Sequence, residues 1–520
     1  MKKLQVNRRQ VLAGTGAIAT ALALGPRWSW GAEGKVLKVR SYSDLQVLDP
    51  AFRLSAPEDD ITNCTFRKLI TWKPGQEWKW ELDAAEAIEQ VDDTHIRFRL
   101  KPGLKWSNDF GDLTTEDVKY SFERIADPNN KSPYKDDWAV LDHVEIQDKL
   151  SGVIVLKEYF APLWASTLPV GSGKIVCKAA VEKAGGQFKT EIPAAAGPYV
   201  IKEWVPKQRT VLARNPAYVG EPTYFDEIHI LPIEDEKTAE IAFEAGDVDY
   251  TGISLSSLAH YKKSPPPNSK LQEAPSLAYV WLGMNTQHPT FQDQKVRRAV
   301  QHAVDVDAVL EAAYFGVAKP STGIIAPGMI GHRDKRIYTY DKAKAKDLLK
   351  EAGKSDGFKC TLSVLNKTEY MSAVQIVQAN LGEVGIQVEI VPYDSGTFWT
   401  LGDQKSGDSY KNIQLLHQRF SMEPDPSWAT VWFTPEQIGV WNWERWNSTE
   451  FGELHKKALV EKDPAQRDTM YKHMQDLMEE SGAYLFLTHG ANAAIYKSDL
   501  IPATEPTGHV NMILPKFKRV

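Results

Sequence analysis

The chain is poor in cysteine: Cys64, Cys177 and Cys360 are its only three in 520 residues. Their wide spacing excludes a four-cysteine zinc site and a dense disulfide framework. At most one bridge is possible, and three buried reduced thiols is the simplest expectation. An excess of one charge sign is lacking too. A net charge of −6, with no basic stripe, leaves no electrostatic case for nucleic acid. Beyond the N-terminus no apolar run is long enough to span a membrane. Catalytic signatures are also missing. Glu453-Leu454-His455 lacks the second half of an H-E-x-x-H motif. Gly171-Ser172-Gly173-Lys174 looks like the tail of a phosphate-binding loop, but Leu168 stands where the first glycine belongs and Ile175 follows the lysine. No G-x-S-x-G elbow appears. The expectation is a protein that is not an enzyme, with no catalytic residue, cofactor or metal.

What is present is bulk and aromatic surface. A chain of 520 residues is too long for one hydrophobic core, so at least two domains are expected. Charged residues at 25% and hydrophobic residues at 42% place it among ordinary globular proteins. Sixteen tryptophans are many for this length. Five of them, Trp428, Trp432, Trp441, Trp443 and Trp446, fall within residues 414–446, with Phe420, Phe433, Arg419, Arg445, Glu423 and Asp425. Flat faces beside a few fixed charges suit an enclosed organic ligand, although aromatics dominate cores as well. The cluster is expected to form one wall of a binding cleft.

Residues 1–32 read as an export signal. Lys2, Lys3, Arg8 and Arg9 form a positive region, and 11–24 is an apolar run too short for a membrane span. Arg8-Arg9-Gln10-Val11-Leu12 resembles a twin-arginine signal, departing from it at Asn7 and Val11. Cleavage is expected after Ala32. Gly14 and Gly16 lie inside the apolar run with no strand before them, so they are not a nucleotide-binding loop. No cysteine follows the run, so no lipid anchor is expected there. The mature protein is expected to be soluble, periplasmic and monomeric.

The mature chain alternates strand and helix patterns. Residues 35–41 form an apolar run read as a strand. Tyr42 and Asp44 at its end become site candidates, because open α/β sheets bind ligands at strand ends. A local turn is the plainer role for Asp44. In 95–100 apolar residues alternate as in a half-buried strand. Thr114 and Asp117 form a capping box for a helix that stops at Asp127-Pro128. Gly246 ends another helix, 278–284 reads as a buried strand, and Asp305 and Asp341 open helices. A strand at 360–365, a helix at 370–381 and a strand at 386–391 form a β-α-β unit. The fold class is α/β, a sheet layered by helices.

The run LKPGLKWSNDFGDLTTEDVKYSFERIADP (100–128) resembles the signature of bacterial extracellular solute-binding proteins of family 5, the peptide, dipeptide and nickel-complex receptors of ABC importers. Blocks at 194–228, 243–250, 291–320, 340–353, 423–426 and 463–487 are similar to the family's blocks in the same order, over essentially the whole mature chain. The resemblance implies a two-lobed type II periplasmic binding protein with an extra subdomain in the first lobe. Its hinge of two crossing strands is implied near 279–285 and 484–489. Lobe I would be 33–282 plus 487–520, with the subdomain at about 51–183, and lobe II 283–486. The implied partners are a small organic solute and the membrane permease of an ABC importer.

Family receptors for peptides hold the ligand's amino group on an Asp three residues before the Asp of a D-P turn. Counting back from Asp425 lands on Met422, so the resemblance puts no carboxylate there; the adjacent Glu423 stays open as a substitute, although a one-residue shift usually turns a side chain elsewhere. Arg419 and Arg445 could hold a carboxylate, phosphate or sulfate through paired N–H bonds. Trp441 and Trp443, read on one face of a strand, could stack on a ring or a cationic head group, with Trp446 beside them. His417 and His489 stand near the implied cleft. Glu423 and Asp425 as an acid–base pair would make the protein a secreted hydrolase, but a Pro-Asp-Pro turn is the plainer reading. A non-peptide solute (an opine, an oligosaccharide or a metal chelate) stays open as the cargo, and so does a receptor-like scaffold with no transport role.

Overall fold

The computed structural model describes residues 35–53 and 56–520, so the export signal expected at 1–32 lies outside the described residues. Three sheets organise the chain. The largest runs Tyr199–Val205, Arg209–Arg214, Glu227–Pro232, Val36–Ser41, Tyr250–Gly252, Asn492–Lys497 and Ser269–Ala274. Val36–Ser41 lies at its centre, parallel to Glu227–Pro232 with Val39 opposite Ile230. A second sheet runs Ile386–Tyr393, Phe358–Leu365, Leu415–Ser421, Ala278–Met284 and Tyr484–Thr488. A four-stranded antiparallel sheet, Ala85–Gln90, His95–Leu100, Ser151–Leu156 and Leu141–Ile146, falls within residues 51–183.

Local chemistry sets these elements. Thr115–Ala126 starts where the Asp117 carboxylate accepts from the Thr114 N–H at 3.0 Å, and it stops before Pro128, which cannot continue the helix. Val306–Tyr314 starts where Asp305 accepts from the Ala308 N–H at 3.1 Å. Phe358–Leu365 pairs in parallel with Ile386–Tyr393, and Thr368–Gly382 crosses between them. All seven residues of Ala278–Met284 are buried, because both faces of the second sheet are covered. Val280, Leu282 and Met284 enter one core with helices Gln294–Ala303 and Thr368–Gly382; Tyr279 and Trp281 enter a second, aromatic core with helix Pro464–Glu480. One face of the large sheet shares a continuous core with the four-stranded sheet and Thr115–Ala126. Cys64, Cys177 and Cys360 are free and buried.

The chain passes between the large and second sheets twice, through 275–277 and 489–491. The segments expected as crossings supply the two neighbouring strands at one edge of the second sheet. The two halves also touch across the gap. The Ala161 N–H donates to the Leu459 carbonyl at 2.8 Å, Lys462 pairs with Asp93, and Trp78 packs on the aromatic core.

Candidate functional site

Between the large and second sheets lies a cavity of about 750 Å³. The C-terminal end of Val36–Ser41 brings Ser41 and Tyr42 to it from one side, and Tyr42 is 49% exposed there. Tyr314, Lys367, Glu369 and Arg419 face it from the other side, and Ala278 and His489 line it at the crossings. Two cations, Arg419 and Lys367, share this wall with the Glu369 carboxylate, whose pKa burial raises against the pull of both. Among the described residues Arg419 and Lys367 make no ion pair; Lys367 lies 5.7 Å over the Tyr370 ring. Lys367 is also the N-cap of Thr368–Gly382, with no side-chain cap bond, so the positive end of that helix adds to the field. Arg40, by contrast, is committed to the Ile233 and Glu234 carbonyls at 2.7 and 2.8 Å.

The histidines are neutral parts of this wall. His489 Nδ1 bonds the Ala278 carbonyl at 2.9 Å, and burial pushes its pKa down to about 4. His417 is 1% exposed, lies tilted by 38° at 4.9 Å from the Tyr370 ring, and is likewise held near 4 by burial. Neither of its ring nitrogens has a partner among the described residues. With Arg419, Lys367, Tyr370, Phe398 and Trp399 it lines a compartment of about 110 Å³ adjoining the main cavity. Register explains the grouping. His417 and Arg419 lie opposite Leu282 and Val280, on the helical face of the second sheet; Gln418 and Phe420 lie opposite Trp281 and Tyr279 on the aromatic face.

The remaining candidates do other work. Asp44 accepts from Trp204 Nε1 at 3.1 Å and from the Lys207 N–H at 2.7 Å, fastening a turn. Met422 is 4% exposed inside the aromatic core. Asp425 is 1% exposed; it accepts from Arg467 Nη2 and the Ser427 N–H, both at 2.9 Å, which ties the turn to Pro464–Glu480. Glu423 faces the first half of the molecule near Arg53, Asp59 and Asp137, and burial pushes its carboxyl up to about 7, against the pull of Arg53. Trp441 and Trp443 do not share a strand face. The segment is a tight loop with left-handed Gly439 and Arg445, in which the Trp441 and Asn442 N–H groups both donate to the Gln437 carbonyl at 3.0 Å. Trp443 is consequently buried at 2% against Phe398 and Trp399. Arg445 bonds Gln287 at 2.7 Å and lies 4.8 Å over the Tyr410 ring. Trp446 packs on Phe451 and Tyr484. The structure thus brings Tyr42, His417, Arg419 and His489 to the cleft and its side compartment, and Trp441 to an aromatic cup considered below. Asp44, Met422, Glu423, Asp425, Trp443, Arg445 and Trp446 do not line these spaces.

Lys367, Glu369 and Tyr370 were not among the sequence candidates. The signal was available: they sit just past the C-terminal end of a parallel strand, at a helix start, where open α/β sheets gather ligand contacts.

The geometry agrees with the comparisons. Residues 79–435 match the model described as bacterial extracellular solute-binding proteins, family 5, middle region. The glutathione-binding protein GsiB of Escherichia coli O157:H7 is 25% identical over 91% of this chain and 92% of its own length. The periplasmic binding protein DppA from Helicobacter pylori, solved with the peptide STSA, superposes with a TM-score of 0.77 at 23% identity over 94% of this chain and 98% of that one. MoaA from A. tumefacien R10, solved with mannopinic acid, gives 0.76 at 23% identity over 94% and 100%. The fold is that of a two-lobed type II periplasmic binding protein. With well over half its length matched by the family model, the chain belongs to the bacterial extracellular solute-binding proteins of family 5.

Proposed function

We propose that this chain captures a small peptide or peptide-like organic solute between its two lobes and hands it to the membrane permease of an ABC importer. The observation that carries the reading is the cavity of about 750 Å³, walled by Ser41 and Tyr42 on one lobe and by Lys367 and Arg419 on the other. A ligand touching both walls favours the closed arrangement, because it gains contacts there that the open one cannot provide. Export to the periplasm and a monomeric state belong to the same proposal.

One observation favours a second reading within the same role. By the family resemblance Met422 stands where a peptide's amino group would need a carboxylate, and its side chain is turned into the core. A buried ammonium without a partner is costly. A solute with no basic amine, such as an amide- or lactam-blocked acid, therefore fits better than a simple free-amine peptide.

Native mass spectrometry of the protein as purified tests the proposal, since tight receptors retain cargo. A small organic adduct, with scattering that shows a more compact particle when it is bound, is the expected result. Chemical turnover of the adduct, or no compaction with any tight ligand, would sink it.

A further inference from the structure

Three aromatic planes meet nearly at right angles beside the cleft. Phe420 and Trp441 stand 5.9 Å apart at 87°, Phe420 and Trp432 6.5 Å apart at 73°, and Trp432 and Trp441 6.2 Å apart at 75°. Trp399 runs almost parallel to Phe420, 6.3 Å away at 26°. With Ser421 these four rings line a cup of about 330 Å³. All four rings are half-buried, so they keep surface to offer a ligand. Trp443, packed behind Trp399, shows what a fully satisfied core indole looks like in the same segment.

Ring faces accept either a cationic head or a neutral flat group. The neighbouring charge decides between them. Trp399 also lines the adjoining compartment, where Arg419 and Lys367 make no ion pair among the described residues. Among the described residues no carboxylate lines the cup; the acid that feels the two cations, Glu369, faces the main cavity instead. A cationic head seated there would be repelled by both side chains, whereas an anionic group one compartment away would be attracted. His417 lines the same compartment as the two cations, buried, neutral and with both ring nitrogens unpartnered among the described residues; buried polar groups of this kind need an explanation.

We infer that the cup takes a neutral, flat apolar group of a solute whose carboxylate is held by Arg419 and Lys367 and whose polar middle hydrogen-bonds His417. The solute class is an amino-blocked peptide, or a comparable amide, carrying one aromatic group and a free acid. The inference rests on the reading of the cleft as a solute site and narrows it.

Calorimetric titration tests it with three probes: N-acetyl-phenylalanyl-alanine, N-acetyl-alanyl-alanine, and the C-terminal amide of the first. The phenylalanyl acid is expected to bind roughly tenfold or more tighter than the alanyl acid, as expected for burying a ring in place of a methyl. Trp441→Ala should abolish that preference. Arg419→Met should weaken both acids by roughly tenfold, leaving them near the amide, since a charge-assisted bond is lost. Ser421→Phe fills the cup from an exposed position; it should block the phenylalanyl probe and spare the alanyl one, a check that stands even if Trp441→Ala folds poorly. Equal binding of the two acids by wild type, a preference that survives Trp441→Ala, or failure of all three probes would overturn the inference. A retained solute without a flat apolar group would overturn it too, while leaving the receptor reading intact. No retained solute together with no compaction would instead bring down the receptor reading.

Discussion

Leu415–Ser421 and the loop that follows it, 422–446, are both crowded with aromatics and charge, yet they meet opposite fates. In the strand, alternate side chains part. His417 and Arg419 go to the cleft, and Gln418 and Phe420 go to the aromatic side. In the loop, Met422, Asp425, Phe433 and Trp443 turn inward and build the second lobe, while Trp432 and Trp441 stay half-buried at the cup. Composition does not distinguish a wall from a foundation; backbone path does.

Predictions that could break this contrast begin with the loop's anchor. Asp425→Ala leaves Arg467 buried without its partner, and removing one member of a buried ion pair costs roughly 3–5 kcal/mol. Denaturant unfolding should show that loss with the affinity of the remaining folded protein unchanged; a loss of affinity alone would return Asp425 to the ligand site.

Trp443→Ala comes next. Truncating a buried indole costs about 3 kcal/mol or more, against little for the half-buried Trp441. Comparing the unfolding midpoints of the two variants checks the difference, and equal midpoints would erase the distinction drawn here between core and cup.

Glu423 supplies the smallest effect and sharpens the contrast at its junction. Burial lifts its pKa from 4.5 to about 7. A folded value above the unfolded one means that the stabilising contribution is complete below 4.5 and is lost as pH rises through about 7. Glu505, also pushed up to about 7 by burial, follows the same sign. Glu423→Gln should flatten part of the fall in thermal midpoint across that window, with Glu505 keeping the rest. An unchanged slope would mean Glu423 is solvated and the lobes do not close over it.

Much of the fold was legible along the chain. The strands at 95–100 and 278–284 appear as read, because alternation in one and unbroken apolar character in the other report how many faces are covered. The Asp305, Asp341 and Gly246 boundaries appear for the same local reason: each satisfies helix-end groups within a few residues. The site was only partly legible. Arg419 stood out as a charge among aromatics, but Lys367 and Tyr370 come from a helix start some fifty residues earlier. The expectation of a strand through Trp441 and Trp443 failed because Gly439 and Arg445 take left-handed backbone, which the residue types alone did not announce.

The sequence by itself determined the family, the α/β class and many of the helix and strand ends, since these depend on contacts within a turn or a strand pair. Only the tertiary structure decided which indoles stay half-buried around the cup, that Asp425 belongs to Arg467, and that Arg419 and Lys367 share one compartment. Those pairings join residues far apart in the chain. Their energy depends on burial and on neighbours from the other elements, and no local pattern encodes either.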